Sequence, residues 1–378
     1  MSTRIGGLRL PVVIVMVGWF VLPVLADGPP LYSDWTSMHV EDGLPAEKVF
    51  CVAVDEDRVW VGTDHGLGVY EDGIWTTYTT EDGLAYDAVL SVAIDTMSGD
   101  VWAGTMGGLT RISGGQLTSF TQFDSGLPND VVFGVAVENQ NVWAATTTGE
   151  GRYMVREDRW QVYTPENAPQ HEPWGYHVDY DNGKVWAALW GGGVLEFDVA
   201  TERWQSYMDP DGEMEIDLFR DDGLIHSITT AVSYRAGILW ASTYFGLSSY
   251  DGRRWRGYMD HDTGLASNFV NFVKAKGRVA WVCTDKGLSV VDYDTNRWIT
   301  YAPAGDLQDT TGPWVARRYE DDRHVGDIPL EKGLANNYIL GVDFRGDEVW
   351  VATAQGLSVG RPATDERVGD ATGGDGWR

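Results

Sequence analysis

Val59-Trp60-Val61-Gly62-Thr63-Asp64-His65-Gly66-Leu67 is the stretch that decides the fold, because the chain says it seven times. Its copies centre on Trp60, Trp102, Trp143, Trp186, Trp240, Trp281 and Trp350, at steps of 42, 41, 43, 54, 41 and 69 residues. A period in the forties marks a repeat architecture in which each copy is one supersecondary unit. Residues that recur in every copy belong to the scaffold. Departures from the pattern are where function has room.

Working outward from the phrase gives one unit. Gly43-Leu44-Pro45 is a turn, and Val49 to Val54 reads as a first strand. Val59 to Thr63 is a second strand, Leu67 to Tyr70 a third, and Ile74-Trp75-Thr76-Thr77-Tyr78 a fourth, with Glu71-Asp72-Gly73 as the hairpin turn. Four short antiparallel strands repeated radially make a propeller blade. The fourth-strand Trp-x-x-Tyr pair returns at Trp160, Trp204, Trp255 and Trp298. The seventh unit stops after its third strand, at Gly360. A matching orphan, Asp34-Trp35-Thr36-Ser37-Met38, precedes the first Gly-Leu turn. Pairing the two leaves no open sheet edge at the junction. The fold read here is all-β: a closed seven-bladed β-propeller of four-stranded antiparallel blades, with the N-terminal strand completing the last blade.

Residues 1–26 read as a signal peptide, with Arg4 and Arg9 before an apolar run and Val24-Leu25-Ala26 at the cleavage site. Residues 27–360 form the propeller and 361–378 a disordered polar, Gly-rich tail. A periplasmic or secreted chain with no membrane span in its mature form is expected. The formal charge of -28 excludes nucleic acid as a partner, since that needs a basic face. No Cys-x-x-Cys-His occurs, so no attached haem is expected. Cys283 falls in the small-residue column two after the second-strand tryptophan, beside Gly62, Gly104 and Ala145. Cys51 lies on a different blade, so the register argues against a disulfide. Thirteen of the eighteen tryptophans sit in the second- or fourth-strand columns, where they wedge between blades.

Gly-Leu-Pro, an apolar strand, Val-Trp-x-Gly-Thr-x-x-Gly-Leu and Trp-x-x-Tyr together resemble the two-component regulator propeller repeat. The resemblance covers roughly residues 34–359. It implies a ligand- or protein-binding propeller, related to extracytoplasmic sensor propellers that respond to glycans. No kinase follows here, so it does not imply signalling by this chain.

The connection from fourth to first strand takes 5 residues after Tyr78, 16 after Tyr207 and 32 after Tyr301, while Thr164 to Pro173 replaces the motif after blade 3. All three expansions are expected on one face, shared with the second-to-third-strand turns. Variable positions on that face give the binding candidates: His65, Trp190, Tyr244, Phe245, Asp285, Lys286 and Gln355, with Trp314, Arg317 and Arg318 in the blade 6 insertion. Aromatic faces at a rim stack on sugars or anchor a protein. Trp174 aligns with Leu90 and Phe133 and is assigned to the core. Glu213, Glu215 and Asp217 alternate along a short extra strand that reads either as a solvated acidic face or as a calcium site. Arg317, Arg318 and Arg323 are expected to pair with it over the ring mouth.

No catalytic motif, cofactor site or zinc spacing is present. The reading is an exported, non-enzymatic propeller that binds a glycan or an extracytoplasmic protein through its insertion-bearing face. The alternative is a lyase-type enzyme that uses His171, His177 or His226 with a bound cation.

Overall fold

The computed structural model describes residues 28–212, 221–305 and 312–362. The signal segment, the acidic strip at 213–218 and the tail beyond Pro362 lie outside them. Seven antiparallel sheets form the ring, and each places its first strand innermost. In blade 1 the strands are Val49–Val54, Val59–Thr63, Gly66–Glu71 and Ile74–Tyr78, in that order. The ring closes as expected. Tyr32–Met38 pairs with Gly356–Pro362, setting Trp35 opposite Gly360 and Met38 opposite Leu357. That register equals the one inside blade 1, where Trp75 faces Tyr70 and Tyr78 faces Leu67. The last strand runs through Pro362, two residues past the boundary expected at 360.

The repeated Gly-Thr now has a cause. The Thr63 hydroxyl donates to the Gly66 carbonyl at 2.8 Å and accepts the His65 N–H, tying the turn. Gly66 has φ +124°, a left-handed conformation that favours glycine. Thr105, Thr146, Thr243, Thr284 and Thr353 tie their turns in the same way. Blade 4 has Leu189 instead. The next blade supplies the hydroxyl: Thr229 donates to the Leu189 and Gly193 carbonyls and accepts the Leu189 N–H.

The second-strand tryptophans are all buried, at 0–2 % exposure, and pack at the blade interfaces. Five of them lie under a cation. Arg58, Arg111, Arg152, Lys184 and Arg345 sit 5.0–5.7 Å from the rings of Trp60, Trp102, Trp143, Trp186 and Trp350. Cys51 and Cys283 are free thiols, and burial pushes the Cys51 thiol up to about 12.

The blade 6 insertion departs from expectation. It does not stand on the binding face as a loop. Trp314–Glu320 pairs with Arg297–Pro303, and Arg323–Pro329 pairs with Trp314–Glu320, so blade 6 has six strands. Adding strands satisfies backbone groups along what is otherwise an exposed edge. Arg317 and Arg318 therefore sit at the outer side of blade 6.

Candidate functional site

The innermost strands enclose a central channel with a cavity of about 590 Å³. In every blade the pairing register shifts between the first and third residues of this strand, as at Val49/Cys51. Such a bulge frees the residue between and re-aims it. The seven freed residues are Phe50, Leu90, Phe133, Tyr176, Thr230, Asn271 and Leu340, and all line the channel. The register thus puts Tyr176, not Trp174, level with Phe133 and Leu90. Trp174 lies just outside the strand and is 39 % exposed, which corrects its assignment to the core.

That register builds an aromatic arc across blades 3 to 6. Phe133 stacks on Tyr176 at 4.9 Å, and Tyr176 stacks on Trp190 at 5.2 Å. Trp174 touches Phe133, Tyr176 and Trp190 at 6.0–6.3 Å. Trp190 meets Tyr244 edge-on at 4.8 Å, and Tyr244 stacks on Phe269 at 4.4 Å. Burial first, then the neighbouring Tyr244, pushes the Tyr176 hydroxyl up to about 12. Beside the arc, Trp174 and Trp190 wall a cleft of about 560 Å³ with Glu172, Asp209, His226 and Ser227. Burial first, then a hydrogen bond with Asp211, raises the Asp209 carboxyl to about 6.

The candidate residues thus separate into groups. Trp190 and Tyr244 belong to the arc. Phe245 packs on His226 at 4.4 Å, at the edge of the cleft. Asp285 and Lys286 form the next turn, where the Asp285 N–H donates to the Phe269 carbonyl. His65 and Gln355 line a second cleft of about 740 Å³, with His39, Glu47 and Lys48. The hydrogen bond of the His65 Nδ1 to the Asp64 carboxylate, 2.9 Å long, raises the imidazole. Trp314 does not face solvent: it is 6 % exposed, in the core with Trp35 and Leu334. A β-carbon at Gly333 would overlap its ring, so the missing side chain there makes its pocket. Arg317 donates to the Pro303 carbonyl at 2.8 Å.

Deeper in the channel, blades 1 to 3 contribute Ala53, Ala93 and Ala136, whereas blades 4 to 7 contribute Asp179, Ser233, Lys274 and Asp343. Asp179 pairs with Arg235 at 2.8 Å and Asp343 with Lys274 at 2.7 Å. Asp179, Ser233 and Asp343 also accept the N–H of Tyr234, Ala275 and Val54 on the next blade at 2.9–3.0 Å. His177 accepts the Val232 N–H at 3.4 Å, and desolvation lowers its imidazole to about 4. His226 accepts the Ile228 N–H at 3.0 Å and lines the cleft, while His171 lines neither cavity. Among the described residues no cluster of three His, Cys, Asp or Glu side chains is arranged to hold a metal.

Phe133, Tyr176, Phe269 and Glu172 were not singled out from sequence. For Phe133 and Tyr176 the signal was there: both occupy the column freed by the bulge.

Fold and channel define the class, a seven-bladed β-propeller. No protein-family model and no curated protein sequence matches the chain. Among solved structures it is similar to the extracellular domain described as that of a hybrid two-component system, BT3049, from B. thetaiotaomicron. That match has a TM-score of 0.56 at 14% identity, over 89% of this chain and 54% of that one. A second such domain, BT4673 from the same organism, gives 0.52 at 18% identity over 81% and 44%. The chain thus spans about half the length of these domains. Virginiamycin B lyase from Staphylococcus aureus gives 0.59 at 13% identity over 87% and 99%. At these identities the likenesses establish the fold. No helix among the described residues is long and apolar enough to cross a membrane.

Proposed function

We propose that this is an exported propeller that binds a glycan through the arc and cleft on blades 3 to 6, and that it works by recognition rather than chemistry. The observation that carries the reading is the exposed ring of Trp174, set against Tyr176 and Trp190 and bordered by Glu172, Asp209 and Ser227. Flat aromatic faces cover the apolar C–H faces of pyranose rings, while bordering polar groups read the hydroxyls. Binding by a dry protein interface fits less well, because polar groups border the rings. The lyase alternative draws on His226, which shares the cleft with Glu172 and Asp209, but its Nδ1 already accepts the Ile228 N–H. The extracytoplasmic setting is supported by the neighbouring extracellular sensor domains and by the leader-like sequence at residues 1–26.

The test is a glycan array probed with the purified chain and with Trp174→Ala. We expect binding to a restricted set of glycans, lost in the variant. An array on which the two proteins bind equally, or neither binds, contradicts the reading.

A further inference from the structure

The cleft beside the arc differs from the other cavities in its charge. The channel carries Arg235 and Lys274, and the His39/His65 cleft carries Lys48. Among the described residues, the Trp174/Trp190 cleft is lined by neither Lys nor Arg. Its charged side chains are Glu172 and Asp209, and Asp209 is only 9 % exposed. Its one imidazole, His226, uses Nδ1 to accept the Ile228 N–H. Two indoles and two carboxylates around one opening form a site for an organic cation: the rings attract it through their faces, and the carboxylates supply opposite charge.

Resting on the glycan reading, we infer that the cleft takes a cationic sugar, and that the ligand class is an amine-bearing glycan with free ammonium groups. The ammonium sits between Asp209 and Glu172, and the sugar ring carrying it lies against Trp174. A neutral sugar of the same shape keeps the ring contact and loses the charged one. The net charge of -28 adds a long-range attraction for such a polymer.

The experiment is calorimetric titration of the purified chain with four probes: a glucosamine oligomer, its fully N-acetylated counterpart, a cello-oligomer of equal length and an oligolysine of equal charge. It is run at a pH above the Asp209 transition and below amine deprotonation. We expect the glucosamine oligomer to bind on the order of tenfold tighter than the N-acetylated one. The preference should shrink severalfold in Asp209→Asn, a variant whose unchanged melting curve shows it folded, while Trp174→Ala weakens all sugars together. Equal or tighter binding of the N-acetylated or cello-oligomer overturns the inference and leaves the glycan reading standing. Failure of every sugar overturns that reading too. Oligolysine binding as tightly as the glucosamine oligomer overturns the sugar part, since a bare cation then suffices.

Discussion

The carboxyl of Glu150 fills the space left by the missing side chain of Gly175. A β-carbon there would lie 3.0 Å from the Glu150 Cδ atom and would overlap Oε1. Both residues break their columns. Glu150 stands where other blades carry Leu67, Leu109, Val194, Leu247, Leu288 and Leu357, and Gly175 where they carry Val49, Val89, Val132, Thr229, Val270 and Ile339. Glu150 is fully buried, neither carboxyl oxygen has a hydrogen-bond partner, and burial raises its carboxyl well above the usual range. A buried unsatisfied polar group costs about 1–3 kcal/mol. Glu150→Leu should therefore raise the thermal midpoint by a few degrees. Gly175→Val alone should lower it, yet be tolerated beside Glu150→Leu. Additive shifts in a double-mutant cycle would refute the contact.

The same carboxyl sets a pH dependence. Its folded value lies above the unfolded 4.5, so its contribution is complete below that pH and is lost as pH rises toward the folded value. Melting temperatures of the wild type should fall with rising pH more steeply than those of Glu150→Gln. Parallel curves would show that Glu150 does not carry this effect.

His177 predicts the opposite slope. Its folded value of about 4 lies below the unfolded 6.5. Stability is thus present above pH 6.5 and drains away as pH falls toward 4. In His177→Ser a hydroxyl takes the place held by Ser91 in blade 2, which accepts the Val135 N–H at 3.0 Å. The acid-side loss between those two values should shrink in that variant, as followed by thermal melts across pH.

Ring closure rests on Trp35, 1 % exposed and edge-on to Tyr301 at 5.3 Å. Trp35→Ala should cost about 3–5 kcal/mol, as large-to-small core changes do. Urea unfolding measures it, and a change under about 1 kcal/mol would mean that the first strand is not needed to close the ring.

The ring was legible because the phrase repeats, and its closure because the orphan strand at Trp35 matches the gap in blade 7. Length alone did not reveal that the blade 6 insertion would add strands. A long connection and a hairpin in sheet register have the same residue count, and Trp314 to Glu320 runs apolar and then polar, with no alternation to mark it as a paired strand. Trp174 and Tyr176 exchanged roles because Thr164 to Pro173 replaces the Gly-Leu turn that marks the column seven residues before Leu90 and Phe133, leaving this strand without its marker. The Glu150–Gly175 pair stood in plain view as two broken columns. Its meaning appears only when two blades face each other across an interface.

The central claim is that the arc on blades 3 to 6 holds the ligand. Its most direct measurement is the affinity of one array-selected glycan for three proteins: wild type, Trp174→Ala, and Met97→Ala. Met97 is 72 % exposed in the loop between the first and second strands of blade 2, on the opposite face. Removing a stacking indole should weaken binding by at least about tenfold, while Met97→Ala leaves it unchanged. Full affinity in Trp174→Ala, or an equal loss in Met97→Ala, would place the ligand elsewhere and contradict the account.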